Sequence, residues 1–143
     1  MNNVIYSSKS DLWETPKHIF DALNNEFKFT LDPCATKSNY KVSNYFTEED
    51  NGLIKDWSGN NVFCNPPYSK IKEWVQKCYE ESLKPNTTVV MLIPARTDTI
   101  YFHNYIYHRS EIRFIKGRLH FNNSKNAAPF PSMIVIFRST VRR

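Results

Sequence analysis

The 143 residues are the size of one domain, too few for two separate cores and a linker. A net charge of +5 and a pI near 9.1 favour a polyanionic partner, and 41% hydrophobic with 15% aromatic residues is enough to fold a globule. No run approaches the roughly 18 to 20 apolar residues that span a bilayer, and the opening MNNVIYSSKSD is not a signal peptide, so a cytoplasmic location is expected.

Cys34, Cys64 and Cys78 form neither a CxxC pair nor a disulfide framework and read as free thiols. His18, His103, His108 and His120 lack metal-ligand spacing, so no metal is expected.

In chain order, residues 1 to 14 are polar and irregular, with 1 to 10 a candidate disordered lead. Thr15 can cap a helix that starts at Pro16 and runs through Ile19, Phe20 and Leu23. Residues 27 to 31 alternate apolar and polar and stop at Asp32-Pro33, as a first strand entering a loop. Loops dominate 34 to 59, with one short helix and one short strand. A strand at 62 to 64 ends at Asn65-Pro66-Pro67-Tyr68, after which Ser69 can cap a helix bearing Ile71, Trp74, Val75 and Cys78 on one face. The apolar run 87 to 93 reads as a doubly buried strand, followed by a helix over 98 to 107 and strands at 111 to 115 and 133 to 137. This βαβ alternation implies an α/β fold, a mostly parallel sheet flanked by helices, with ligands at the carboxyl ends of its strands.

Three strands end there in loops that can carry chemistry. Asn65-Pro66-Pro67-Tyr68 sets an amide, two rigid residues and an aromatic ring in succession. Methylating an exocyclic amine requires its lone pair to face the methyl donor, and acceptors aimed at both N–H groups favour that geometry. The Asn65 side-chain oxygen and the Pro66 carbonyl can supply them, with Pro66 and Pro67 holding the loop and Tyr68 stacking on a flipped base. The plainer reading is a Pro-Pro pair that only ends a strand, with Tyr68 in the core.

Asp32, with Pro33 and Cys34 after it, is placed to orient a methyl donor through its amino acid moiety or ribose; a solvated turn aspartate is the alternative. Asp56 can accept from the amino group of the donor's adenine while Trp57 flanks the ring, although a turn Asp and a core Trp explain the same dipeptide. Arg96, Arg113, Lys116, Arg118 and Lys125 offer positive charge for phosphates, or a solvated face. Pro33-Cys34 resembles the dipeptide of cytosine C5-methyltransferases, but it follows the donor strand rather than the catalytic one. Cys64 sits inside an apolar run, so direct transfer without a covalent intermediate is expected.

The ordered set Glu14-Thr15-Pro16, Leu31 to Ala35, Asp56-Trp57, Asn65 to Ser69, Pro94 to Thr99 and Lys116 to Phe121 resembles the phage-type DNA N6-adenine methyltransferase (Dam) family, over roughly residues 11 to 138. The resemblance implies a Rossmann-like class I methyltransferase fold in a single domain, 1–143. It implies S-adenosylmethionine as donor, double-stranded DNA with the target adenine flipped out as substrate, and a bacterial or phage-infected host cytoplasm. It further implies a catalytic loop at Asn65, Pro66, Pro67 and Tyr68. Donor-binding residues are then Thr15, Pro16, Asp32, Pro33, Cys34, Asp56, Trp57 and Asn65, and substrate-binding residues Tyr68, Ser69, Arg96, Lys116 and Arg118.

Two features depart from the wider class. The donor loop reads Asp-Pro-Cys-Ala instead of being glycine-rich, and sequence specificity is left to the loops around 96 to 100 and 117 to 130. RNA adenine, cytosine N4 and protein glutamine are rival acceptors, and a DNA-binding module without catalysis is the rival from another class.

Overall fold

The computed structural model describes residues 14–121 and 125–139. The irregular lead at 1 to 10 and part of the 117 to 130 loop lie outside them.

Four strands form a mixed sheet in the order β1-β2-β4-β3: β1 (Asn61–Cys64), β2 (Thr88–Pro94), β4 (Ser132–Phe137) and the edge strand β3 (Glu111–Phe114). β1 and β2 are parallel, with Cys64 opposite Met91, whereas β4 runs antiparallel to both β2 and β3. The sheet is therefore α/β but mixed rather than mostly parallel. A strand inserted against the direction of its neighbours leaves no periodicity signal, because a buried strand is apolar on both faces either way.

The expected first strand shrinks to two bridges, Leu31 with Val62 and Asp32 with Tyr45, both parallel. Phe27 instead closes the helix α1 (Lys17–Phe27), and Lys28 turns left-handed at φ 55°, its N–H donating to the Asn24 carbonyl. Thr30 N–H (2.7 Å) and Leu31 N–H (3.3 Å) donate to the Asn61 carbonyl, so the segment still lies beside β1.

Both faces of β1, β2 and β4 are buried, and alternation sorts the side chains. Val62, Cys64, Val89, Met91, Ile93, Met133, Val135 and Phe137 point to the face covered by α2 (Ile71–Ser82) and a π-helical turn at Phe102–Ile106. Phe63, Val90, Leu92, Ile134 and Ile136 point to the other, covered by α1 and the 119–130 loop through Phe20, Leu23, Phe27, Leu119, Phe121 and Phe130. Each such fully buried aliphatic or aromatic side chain contributes roughly 1.5–3 kcal/mol relative to exposure.

Helix α2 buries Trp74, Val75 and Cys78, as their spacing implies. Its start differs from expectation: a 3₁₀ turn, Tyr68–Lys70, precedes it, and Lys70 rather than Ser69 is the residue before the helix. The helix expected over 98 to 107 contains the five-residue π turn, with Tyr101, Phe102 and Ile106 buried. Among the described residues no helix is long and apolar enough to cross a membrane.

Candidate active site

The parallel strand β1 and the 29–32 segment end side by side, and their carboxyl ends carry Asn65 and Asp32. β1 stops at Cys64 because Pro66 and Pro67 have no N–H to continue a central ladder; both prolines are buried.

Asp32 is 4% exposed, and its carboxylate accepts from the backbone N–H groups of Lys41 (Oδ2, 3.1 Å) and Cys34 (Oδ1, 3.4 Å). Burial pushes the carboxyl up to about 6, against the pull of those two donors and the Lys41 charge. It is therefore not a solvated turn aspartate: it braces the loop that leaves the strand. Pro33 is buried and Cys34 half-buried.

Thr15 was expected to cap α1, but Pro16 is the residue before the helix and no side chain caps it. The Pro16 carbonyl takes the N–H groups of Ile19 and Phe20 (both 3.1 Å), and the Thr15 hydroxyl faces the sheet instead. There it accepts a hydrogen bond from Asn65 Nδ2 at 2.9 Å. Glu14 pairs with the Lys41 ammonium at 3.2 Å. Residues 14, 15, 32, 41 and 65 thus form one connected group across both strand ends.

Two concavities flank this group. One, about 400 Å³, is lined by Glu14, Thr15, Phe20, Tyr40 and Lys41 among others. The other, about 140 Å³, is lined by Pro33, Glu48, Asn51, Gly52, Lys70 and Trp74 among others. Tyr40 and Tyr45 stack nearly parallel at 4.3 Å beside the first.

Tyr68 is partly exposed, and its ring meets Phe130 edge to face at 5.5 Å. Burial pushes its phenol well above the ordinary tyrosine value, with Arg96 opposing the shift. The Arg96 guanidinium lies 5.9 Å over the Phe130 ring, so the loop after β2 reaches the Asn65–Tyr68 loop through Phe130. Arg96, Lys116, Arg118 and Ser69 are exposed, as is Lys125. Arg118 also donates to the Ala128 carbonyl at 3.3 Å.

Three expectations need correction. Trp57 is fully buried, its indole N–H donating to the Gly52 carbonyl (3.0 Å) and its ring stacked 6.3 Å from Trp74, so it is a core residue and has no exposed face for a donor's adenine. Asp56 points outward to the Lys84 ammonium (2.9 Å), and that bond with the Ser58 N–H holds its carboxyl down to about 2. The pair sits ahead of the amino end of β1, while Asn65 follows its carboxyl end. Arg113 is engaged within the fold: it grips the Glu26 carboxylate through two bonds of 2.7 and 2.8 Å and also bonds Glu111.

Sequence reasoning missed Lys41 and Phe130. Nothing local marks Lys41, which works through its backbone N–H on Asp32 and its ammonium on Glu14. Phe130 lies between two prolines, Pro129 and Pro131, a signal that was legible. Among the described residues no group of three or more His, Cys, Asp or Glu side chains is placed to hold a metal. The cysteines are free, with Cys64 and Cys78 buried, and burial raises the Cys64 thiol.

The family model described as DNA N-6-adenine-methyltransferase (Dam) matches residues 3–142. A DNA N-6-adenine-methyltransferase of Haemophilus phage HP1 (strain HP1c1) is 36% identical over 138 residues, covering 91% of this chain and 80% of that protein. One of Escherichia phage T1 is 32% identical over 111 residues, 76% of this chain and 46% of its own length. With the Asn-Pro-Pro-Tyr loop at the carboxyl end of a buried parallel strand, beside a bridged segment ending in a buried aspartate, the chain belongs to the DNA N-6-adenine-methyltransferase (Dam) family.

Proposed function

We propose that the chain transfers a methyl group from S-adenosylmethionine to the N6 amine of an adenine turned out of double-stranded DNA, on a Rossmann-like class I methyltransferase scaffold. The observation that carries this is the Asn65 amide, tied by its nitrogen to Thr15 and followed by two buried prolines. With Nδ2 donating to Thr15, Oδ1 occupies the other branch of the amide. It and the Pro66 carbonyl accept from the two N–H groups of the target amine and turn its lone pair toward the methyl group. Because the prolines hold the loop and the amide is already bonded, little ordering is left for the reaction to complete. Tyr68, braced by Phe130, offers its ring to the displaced base.

The residues at the strand ends fit the donor. Glu14 and Lys41 present opposite charges suited to an amino acid's ammonium and carboxylate, and Glu48 and Asn51 are acceptors suited to ribose hydroxyls. The donor supplies an electrophilic methyl group on a sulfonium. Thr15, Pro16, Asp32, Pro33 and Cys34 build the walls and braces around that space, and Arg96, Lys116, Arg118 and Ser69 face solvent where phosphates of a duplex can be met.

The test is to incubate the protein with tritiated S-adenosylmethionine and unmethylated DNA, with RNA and a protein extract in parallel, and to digest the products. Label is expected as N6-methyldeoxyadenosine. Label in RNA or in glutamine instead would replace the substrate, and no label from folded protein would overturn the reading.

A further inference from the structure

We propose that the exposed side of the helical segment 100–108 is a duplex-contacting surface that reads base pairs beside the target adenine, with His103 and Asn104 meeting base edges. This rests on the methyltransferase reading above and deepens it.

The segment leaves the sheet at the edge that carries Asn65. β2 ends at Pro94 and runs parallel to β1, so both strands hand their loops to the same side. Arg96, two residues on, lies over Phe130, whose ring meets Tyr68. The chain then packs Tyr101, Phe102 and Ile106 into the core on the α2 face and re-enters the sheet at Glu111, opposite Ile136, which in turn pairs with Val90. Ile100, His103 and Asn104 are therefore the part of the segment nearest the Asn65–Tyr68 loop, and Tyr107 and His108 lie further along it.

One side of the segment is fixed and the other faces water. Ile100, His103, Asn104, Tyr107 and His108 are all exposed, Ile100 at 76% and Tyr107 at 48%. The Tyr107 ring lies against His108 at 3.9 Å and His103 at 5.8 Å. Apolar surface for thymine methyl groups thus alternates with groups that bond base edges, the mixture that reads a major groove.

The two polar groups nearest the loop have bonding capacity left. His103 Nε2 lies 2.8 Å from the Thr97 carbonyl oxygen. A carbonyl only accepts, so that nitrogen carries the proton, and the tethered ring keeps Nδ1 as its remaining hydrogen-bonding atom. Asn104 offers an amide, the group that pairs through two bonds with an adenine edge. Among the described residues, neither Nδ1 of His103 nor the Asn104 amide bonds another group of the protein. Charge also suits a polyanion: no acid lies between Asp98 and Glu111, Arg96 and Arg109 are exposed at the two ends, and Glu111 is held by Arg113 and Arg138, both at 2.8 Å.

Base contacts and phosphate contacts predict different losses. The substrate is a duplex pool with one adenine and randomised base pairs on both sides, and methylated molecules are read by single-molecule sequencing. The native protein is expected to favour particular bases on one side of the adenine. Asn104→Ala and His103→Ala each flatten part of that preference by about fivefold or more, whereas Arg96→Ala slows all sequences alike. Ile100→Glu sets a carboxylate against the duplex and weakens binding by about tenfold or more, read by fluorescence anisotropy without a methyl donor. These variants change exposed side chains, so thermal melts should stay within about 3 °C of native.

A native profile without base preference, or a preference that survives both Asn104→Ala and His103→Ala, overturns the base-reading role. Native affinity in folded Ile100→Glu overturns the surface itself. The binding measurement needs no turnover, so the two readings fail separately: a native protein that methylates no adenine, while Ile100→Glu still loses duplex affinity, overturns the methyltransferase reading and upholds this surface.

Discussion

Gly52 packs so closely on Pro33 that a Cβ built on it would overlap the Pro33 carbonyl oxygen and press on Trp74 at 3.2 Å. The contact seals the loop after Asp32 against the 3₁₀ turn Gly52–Ile54, and the Trp57 indole bonds the Gly52 carbonyl from beneath. Backbone cannot yield as a flexible side chain would. Gly52→Ala is therefore expected to cost about 2 kcal/mol or more, and to lower Tm by about 5 °C or more. Gly59, with φ +80° and open space around it, is the contrast: Gly59→Ala should cost only about 1 kcal/mol, from torsion alone. Thermal scans of both variants decide it, and equal losses would mean that the Pro33 contact relaxes freely.

Asn65→Ala should abolish most methyl transfer while leaving the fold intact. Losing an acceptor that works only as charge develops costs roughly 3 kcal/mol in the barrier, or on the order of a hundredfold in kcat. Initial rates with tritiated donor, alongside thermal melts, measure both. Near-native turnover by the folded variant would rule out the amide-clamp mechanism.

Asp32 gives stability a defined pH dependence. Its folded-state pKa of about 6 lies above the ordinary value of 3.8, so burial favours the protonated form. The stabilisation is fully present below about pH 4 and is lost as pH rises through about 6, a change of up to about 3 kcal/mol at 1.4 kcal/mol per unit. Urea unfolding of the native protein and of Asp32→Asn across this range isolates the effect. The gap between them should shift in favour of Asp32→Asn as pH rises, because asparagine carries no charge to bury; a gap independent of pH would refute it.

Arg96, Lys116 and Arg118 are exposed, while Arg113 is locked onto Glu26. Neutralising one phosphate-contacting residue lowers the slope of log K against log salt by about 0.9. Arg96→Ala, Lys116→Ala and Arg118→Ala should each weaken duplex binding and flatten that slope, whereas Arg113→Ala should leave the slope alone. Fluorescence anisotropy at several salt concentrations separates the two groups, and a flattened slope for Arg113→Ala would show that its ion pair opens on DNA.

The end of β1 was legible because the residues that stop it are contiguous. Two prolines after an apolar run announce where the strand ends, since proline's missing N–H acts locally. The α2 face through Trp74, Val75 and Cys78 was legible for the same reason: helical spacing is a property of neighbouring residues. Strand direction was not, because β2 is apolar over residues 89 to 94 and β4 over 133 to 137, and only their ladder shows that they run oppositely.

The partners of single side chains lay further out of reach. Thr15 carries a sequence signal for capping a helix, and only the packing of α1 against β1 turns its hydroxyl to Asn65. Trp57 follows Asp56 in sequence, yet folding sends one into the core and the other to Lys84. The sequence alone determined which groups the protein carries and the local turns they enforce. The tertiary structure decided which of them meet, because a hydrogen bond across 50 residues depends on where whole elements pack and leaves no periodic trace along the chain.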